Sequence, residues 1–335
     1  THVVNGNPID EYSRLSCKIN FKRPNSDICH VRLDFVRFSM TGPSDLGECD
    51  GGSLTVTAEN LHDFITCGNN TGQHLYLEYG DCDIVSVSMN PNQDGNPPPT
   101  FDLQATFINC EQSGSSKTIQ NDPPPAGCDQ YYTNPSGQVR SFNYISQKFF
   151  GISQWNDVQG QINNQKYTVC VKTLSGYRRI IWGPCQGEEV PFSLSGYGSS
   201  VSTQGDLSSY EMKTGSDCQT DWIDIPGSPA GRYCGSIFPG TIASSARPFQ
   251  MFVSFNDEEI VAINNMINPA TGCPIGFDCV DPYDPIRPAQ GSPTNSASGF
   301  VPCHELGEFC ALNPGLEEFV DSGNTGFCLQ YVLTN

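Results

Sequence analysis

Lysine and arginine are scarce in this 335-residue sequence. The chain holds 17 of them against 36 aspartate and glutamate residues, which gives a formal net charge of −19 at pH 7. Nucleic acids and anionic membranes bind basic surfaces, so a balance this acidic argues against both as partners. The charge fits a soluble protein that works outside the cell.

Long apolar runs are also missing. No stretch approaches the 18 uninterrupted apolar residues that indicate a membrane-spanning helix, so no span is predicted. The chain starts at Thr1 rather than at a methionine, and it lacks the apolar leader of a signal peptide. We therefore expect a mature product from which a targeting segment has been removed.

Catalytic signatures are absent as well. None of the five histidines lies in an Ala-Ala-His-Cys context, and neither Gly-Asp-Ser-Gly-Gly nor Gly-x-Ser-x-Gly occurs. The Asp321-Ser322-Gly323 stretch lacks the flanking glycines that would form an oxyanion hole. Neighbouring carboxylates such as Glu258 and Glu259 would point to opposite sides of a strand and would not build one acid–base site. The sequence therefore predicts a protein without catalytic residues.

Cysteine, by contrast, is abundant. The 16 residues are even in number and spread along the chain, and no Cys-x-x-Cys pair of a zinc site occurs. We predict about eight disulfides and hence an oxidising, secretory compartment. The predicted disulfide residues are Cys17, Cys29, Cys49, Cys67, Cys82, Cys110, Cys128, Cys170, Cys185, Cys218, Cys234, Cys273, Cys279, Cys303, Cys310 and Cys328.

One glycosylation sequon is present. Asn69-Asn70-Thr71 predicts a glycan on Asn69, which agrees with secretion.

Helical periodicity is nearly absent, and short runs with a period of two take its place. These runs are separated by Gly, Pro, Asn and Asp, which is the pattern of β-sandwiches. Strands are predicted at residues 29–38, 53–58, 74–79, 83–89, 138–144, 167–172, 179–182, 249–255 and 327–333. The fold class that follows is all-β.

The run from Arg32 to Phe38 is apolar on both of its faces. Strict alternation places Leu33 and Phe35 on one face with Arg37, and Val36 and Phe38 on the other with Asp34. We therefore expect an interior strand rather than an exposed edge.

Composition divides the chain into two units. Residues 1–112 form the first unit, residues 113–127 a proline-rich linker that favours an extended link, and residues 128–335 the second unit. The second unit is too long for a simple sandwich, and its excess is an insertion at 256–325 that carries four cysteines. A loop of that length is usually functional or disordered, and its cysteines favour an ordered, functional one.

Short sequence fragments of both units, taken in their order along the chain, resemble one known family. In the first unit they are Cys17, Cys29-His30-Val31-Arg32-Leu33-Asp34-Phe35, Cys49, Leu54-Thr55-Val56 and Cys67-Gly68-Asn69-Asn70-Thr71. In the second they are Cys128-Asp129-Gln130-Tyr131-Tyr132, Tyr167-Thr168-Val169-Cys170, Asp221-Trp222-Ile223-Asp224, Arg232-Tyr233-Cys234-Gly235 and Gly326-Phe327-Cys328-Leu329-Gln330-Tyr331. In this order and spacing they resemble CUB domains, most of all the kind found in secreted arthropod proteins.

The resemblance implies two jelly-roll β-sandwiches without a protease domain. It also implies the disulfides Cys17–Cys29, Cys49–Cys67, Cys170–Cys185 and Cys218–Cys234. Within the insertion, Cys273–Cys279 and Cys303–Cys310 are local pairs. The pairing of the remaining four cysteines stays open: the first solution is Cys110–Cys128 with Cys82–Cys328, and the alternatives include Cys82–Cys110 with Cys128–Cys328. The first would join the two units covalently.

Calcium is the one candidate ligand. Many CUB domains bind it with acidic residues on converging loops, and carboxylate oxygens are the ligands that Ca²⁺ prefers. The resemblance maps this site onto Asp221, three residues past Cys218, and onto Asn256 and Asp257 after the strand that precedes them. The first unit carries Gly52 at the position equivalent to Asp221 and is predicted not to bind.

Protein–protein interaction outside the cell is the leading functional hypothesis. The insertion at 256–325 is the predicted contact site, and Trp155 and Tyr283 are candidate binding residues in loop-like stretches. Two alternatives are a self-assembling matrix or filament protein, and the non-catalytic region of a CUB-containing serine protease or protease homologue.

Overall fold

The computed structural model describes most of the chain outside the insertion. Residues 16–44, 47–61, 64–91, 99–110, 123–144, 160–188, 190–195, 212–257 and 324–335 are described in full. The strands at 2–4, 277–280, 300–303 and 308–312 are described by their backbone alone.

Eight of the described strands lie in residues 1–110, which we call the N-terminal half. They are β1 (His2–Val4), β2 (Cys17–Lys22), β3 (Ile28–Ser39), β4 (Gly52–Thr57), β5 (Phe64–Thr66), β6 (His74–Glu78), β7 (Ile84–Pro91) and β8 (Thr100–Asn109). They form two antiparallel sheets, ordered β1-β8-β3-β6 and β2-β7-β4-β5.

The remaining strands lie in residues 123–335, the C-terminal half. They are β9 (Gln130–Tyr132), β10 (Ser136–Arg140), β11 (Lys166–Val171), β12 (Arg179–Pro184), β13 (Phe192–Ser193), β14 (Met212–Thr214), β15 (Trp222–Asp224), β16 (Arg232–Gly235), β17 (Ile242–Ser244), β18 (Phe249–Ser254), β19 (Phe277–Val280), β20 (Phe300–Cys303), β21 (Glu308–Leu312) and β22 (Gly326–Thr334). One sheet runs β10-β22-β12-β17, with β13 also on β22, and the second runs β14-β16-β15-β18-β11-β9. Pairing is antiparallel except between β9 and β11.

Alternating burial explains why these segments form strands. In β4, Leu54 and Val56 are fully buried while their neighbours are partly exposed, and β7 repeats the pattern with Val85 and Val87. One apolar face per strand buries against the facing sheet, which is the packing of a sandwich. In the C-terminal half, Trp182 is completely buried and its ring lies 5.6 Å from that of Tyr331.

A bulge in β3 changes the predicted alternation. Register shifts between Phe35 and Arg37, where Phe35 pairs with Leu103 and Arg37 with Asp102, so Val36 is an extra residue. Phe38 therefore returns to the core side, and its ring lies 5.3 Å from that of Phe35. The interior position of β3 is confirmed, because β8 and β6 pair with its two edges. The assignment of Phe38 to the opposite face from Phe35 was wrong.

The insertion contains a sheet of its own, ordered β19-β21-β20. Its register places Cys279 opposite Cys310 and Cys303 opposite Glu308. Cys273 and the side chains of the other three cysteines lie outside the described residues, so the two local disulfides stay predictions.

The predicted fold class is confirmed. The described residues are almost entirely strand and loop, with a single short 3-10 turn at Gly215–Asp217. Within that same part of the chain, no helix is long and apolar enough to cross a membrane.

Candidate functional site

Five disulfides join cysteines of the described residues, and each stays within its own half. They are Cys29–Cys110, Cys49–Cys67, Cys128–Cys170, Cys185–Cys328 and Cys218–Cys234. Cys49–Cys67 and Cys218–Cys234 agree with the pairs that the resemblance implies.

The other disulfides that the resemblance implies were wrong. The cysteines that pair instead lie on or beside hydrogen-bonded neighbouring strands. Cys29 lies in β3 and Cys110 follows β8, and the pairing of these strands brings the two Cα atoms to 5.8 Å. This excludes Cys17–Cys29, Cys110–Cys128 and Cys82–Cys110. The contact of β9 with β11 likewise brings Cys128 to 5.8 Å from Cys170.

The pairing of β12 with β22 settles the remaining partner. It brings Cys185 to 5.4 Å from Cys328, measured between Cα atoms. This pair excludes Cys170–Cys185, Cys82–Cys328 and Cys128–Cys328.

Cys17 and Cys82 are free and exposed, which corrects the prediction that both are oxidised. Cys17 begins β2, opposite Met89, whereas Cys82 precedes the other end of the neighbouring β7. About five residue steps at roughly 3.4 Å each separate these ends, so the two thiols are too far apart to pair with each other.

The two halves meet along a buried contact that we call the seam. Phe142 of the C-terminal half is fully buried, and its ring lies 6.2 Å from Phe35 and 4.9 Å from Phe64 of the N-terminal half. A second apolar cluster brings Tyr76 and Ile108 against Tyr131 and the Cys128–Cys170 disulfide. The seam is therefore packed like a core.

Asparagine side chains extend the seam. The backbone N–H of Asn143 donates to Asn70 Oδ1 at 2.6 Å, and Asn143 Oδ1 accepts from the N–H of Asn69 at 2.9 Å. Asn143 has a left-handed φ of 58° and is fully buried. At Gly68 an added Cβ would lie 1.9 Å from Asn143 Oδ1, so only glycine fits there.

Asp129 binds the N-terminal half with both its backbone and its carboxylate. Its carbonyl accepts from the N–H of Tyr76 at 2.7 Å, and Oδ1 accepts from Asn60 Nδ2 at 2.6 Å. The other carboxylate oxygen accepts from the N–H of Thr168 at 2.6 Å. Burial outweighs these hydrogen bonds and raises the pKa of Asp129 to about 7, with a further upward contribution from Glu78.

His74 contributes an acceptor to the same contact. Its Nε2 accepts from the backbone N–H of Tyr131 at 3.1 Å, so this nitrogen carries no proton. Burial, followed by the charge of Arg32, lowers the pKa of His74 to about 4. The imidazole is therefore neutral at physiological pH and acts as a structural acceptor.

The predicted calcium residues are only partly placed as the resemblance requires. Asp221 is buried, and its carboxylate accepts from Gln161 Nε2 at 2.6 Å and from the backbone N–H of Asn256 at 2.7 Å. Asn256 thus meets Asp221 as a donor, and Asp257 is exposed. Within the described residues, no group of three His, Cys, Asp or Glu ligand atoms forms around Asp221. The geometry accounts for Asp221 without an ion, and calcium binding stays a prediction.

One group of side chains in the described residues has metal-ligand spacing, namely Cys29, His30 and Cys110. The two sulfurs are joined in a disulfide, and metals bind thiolates rather than oxidised sulfur. His30 is buried, which lowers its pKa although Glu78 acts in the opposite direction. The group is structural.

The remaining predicted residues divide by whether the structure describes them. Asn69 is exposed, with its Oδ1 accepting from the N–H of Thr71 at 3.2 Å. Trp155 and Tyr283 lie outside the described residues, as does most of the insertion. The sequence did not predict that His74 and Asp129 both lie at the seam, because no motif links two residues 55 positions apart.

Two solved structures are similar to this chain at 12% identity. The alignment with the CUB1-EGF-CUB2 domain of human MASP-1/3 covers 100% of this chain and 99% of the MASP-1/3 chain, at a TM-score of 0.28. The alignment with the CUB1-EGF-CUB2 domains of rat MASP-1 covers 77% of this chain and 92% of the MASP-1 chain, at a TM-score of 0.26. No curated protein matches.

The animal CUB domain matches residues 125–334, which include all three described sheets of the C-terminal half. This match spans more than half of the sequence. The chain therefore belongs to the animal CUB domain family.

Proposed function

We propose that this chain is a secreted, non-catalytic protein that acts by binding other extracellular proteins. Its family supports this, because the CUB domain is a non-catalytic interaction module. Residues 1–112 serve as a second CUB-like unit beside the matched one, with residues 113–127 between them. The disulfides of the described residues support an oxidising compartment.

The observation that carries the proposal is the seam. Buried aromatic rings and hydrogen bonds join the halves, including Phe142 with Phe64 and Asp129 with Asn60. A body fixed in this way presents surfaces of both halves in a constant arrangement, which lowers the entropic cost of binding a partner.

The proposed contact segment is the insertion at 256–325. The test is capture of partners from the native extracellular fluid by immobilised full-length chain. A variant in which residues 258–323 are replaced by a short Gly/Ser linker is the comparison, and unchanged thermal unfolding of the rest is its control. The proposal expects a defined extracellular protein on the full chain and its loss from the variant. If both proteins capture the partner equally, the contact site lies outside the insertion. If the full-length chain captures no partner specifically, the proposed function is refuted.

Self-association is a second candidate, and the free thiols favour it. Among the described strands, β2 has a neighbour on one side only, and Cys17 at its start is exposed. Edge strands pair readily with other chains, and an unpaired cysteine of a secreted protein suggests an intermolecular bond. Light scattering and non-reducing electrophoresis of native material test this. A reducible oligomer that is lost in Cys17→Ser supports it, and a clean monomer refutes it.

A further inference from the structure

We propose that the outer surface of strands β11, β18, β15 and β16 docks an acidic segment of a partner protein that carries an aromatic or large aliphatic side chain. This proposal rests on the protein-binding function above. It names a surface within the described residues, separate from the insertion, and the chemistry that this surface recognises.

Strand register defines the surface, which we call the outer face. One row across the strands joins Lys166, Ser254 and Trp222, and the next joins Thr168, Phe252, Asp224 and Arg232. The alternate residues Tyr167, Val253 and Ile223 are buried in the core. The two rows therefore point away from the sandwich.

An exposed aromatic residue lies near the middle of the outer face. Phe252 belongs to β18, an interior strand with neighbours on both sides, and 38% of its surface is exposed. Trp222 on the adjacent strand is half-buried. Two large aromatic side chains on neighbouring strands resemble the aromatic anchors at the centres of protein–protein interfaces.

Cations flank these rings. The Arg232 guanidinium lies over the Trp222 ring at 4.3 Å from its centroid, and Lys166 is exposed at the end of the first row. Neither Lys166 nor Arg232 forms an ion pair with the described residues. Asp224 is the one acidic residue of the two rows, so their net charge is positive.

This charge differs in sign from that of the whole chain, which is −19. A positive face on a strongly acidic protein favours an acidic partner and sets its orientation. The exposed rings require a matching apolar side chain on that partner. Carboxylates around an aromatic or aliphatic residue provide both features.

Both ends of the outer face are held in place. Arg232 Nη1 donates to the carbonyl of Cys218 at 3.5 Å, beside the Cys218–Cys234 disulfide. At the other end, the N–H of Thr168 donates to Asp129, which binds Asn60 across the seam. A surface fixed at both ends binds without reordering.

Three synthetic 12-residue peptides test the proposal against the full-length chain. One carries Glu and Asp around a central Phe, one has Ala in place of that Phe, and one has Lys in place of the acids. Titration calorimetry gives the affinity, and tryptophan fluorescence, to which the half-buried Trp222 contributes, gives a second readout. We expect the first peptide to bind, the second to bind at least tenfold more weakly, and the third not to bind. Added salt should weaken the first peptide's binding.

Phe252→Ser and Arg232→Gln should each reduce binding of the first peptide at least tenfold. Val332→Ser is the matched control, because Val332 is 43% exposed on the other sheet of this half, and it should bind normally. Absence of binding to the wild type, or equal binding by Phe252→Ser, would overturn the proposal. If Phe252→Ser still captures the native partner, the outer face is refuted while the protein-binding function stands. If the wild type captures no partner, the function itself fails.

Discussion

Asp221 and Asp129 are both buried carboxylates, and their different partners give them different roles. Asp221 stays within the C-terminal half, where it joins Gln161 to the backbone of Asn256. Asp129 reaches the N-terminal half through Asn60. A buried carboxylate that accepts hydrogen bonds from two different segments holds those segments together, and this is the role of each residue.

Asp221→Ala tests the structural role of that carboxylate. The change leaves the Gln161 amide and the Asn256 N–H without their acceptor, so we expect a loss of about 2–4 kcal/mol of unfolding free energy in the presence of a chelator. Urea unfolding measures it. The exposed Asp257→Ala is the matched control and should cost less than about 0.5 kcal/mol. An Asp221→Ala protein as stable as the wild type would contradict the geometry.

Calcium binding is tested by comparing the wild type with Asp221→Ala. If the family's site is present, added calcium raises the melting temperature of the wild type and not that of Asp221→Ala. An unchanged melting temperature of the wild type on addition of calcium would refute the predicted calcium site.

Cys17 and Cys82 give a second test at this scale. Alkylation of the native, unreduced protein should label these two residues, because both are free and exposed. Although Cys17 is exposed, neighbouring protein atoms partly desolvate its thiol and raise its pKa, so its labelling should accelerate markedly above neutral pH. Peptide mass spectrometry locates the label, and the ten cysteines of the five described disulfides are the internal control. Absence of label on both thiols would contradict the structure.

Single elements show what the sequence predicts well and what it does not. Period-two alternation located β4, β7 and β18 to within two residues, because their alternating burial follows directly from the local order of apolar and polar residues. It missed the bulge at Val36, because a bulge depends on the partner strand. Disulfide partners failed for the same reason, since Cys29 and Cys110 meet only after β3 has paired with β8.

The seam was beyond prediction for a related reason. His74 lies in β6 and Asp129 just before β9, and each looks like an ordinary strand-end residue in the sequence. Their environment arises only when the halves pack together. Burial then shifts the pKa of His74 down to about 4 and that of Asp129 up to about 7.

These two shifts act in opposite directions on stability. Between pH 4 and 6.5 the unfolded state binds a proton at His74 that the native state does not, so lowering the pH destabilises the protein. Between about pH 4 and 7 the native state holds a proton at Asp129 that the unfolded state has released, so raising the pH destabilises it. In the wild type the two effects partly cancel.

Variants separate the two effects. His74→Gln keeps an acceptor for the Tyr131 N–H, and its stability should fall as pH rises from 4.5 to 6.5. Asp129→Asn leaves the histidine effect, and its stability should rise over the same interval. Urea unfolding at both pH values measures the slopes relative to the wild type. Equal slopes in all three proteins would contradict the burial of these groups in the seam.

At the scale of the whole molecule, the seam joins the two halves into one body. No disulfide of the described residues crosses between them, so hydrogen bonds and apolar packing at the seam provide the connection. The Phe142 ring is fully buried at the seam, and removing it should cost about 3–5 kcal/mol.

Differential scanning calorimetry of the full-length chain, with and without Phe142→Ala, tests this claim most directly. We predict one cooperative transition for the wild type, because unfolding either half exposes the seam of the other. Phe142→Ala should move the whole transition to lower temperature or split it in two. Two separate transitions in the wild type, neither of them moved by Phe142→Ala, would contradict the account.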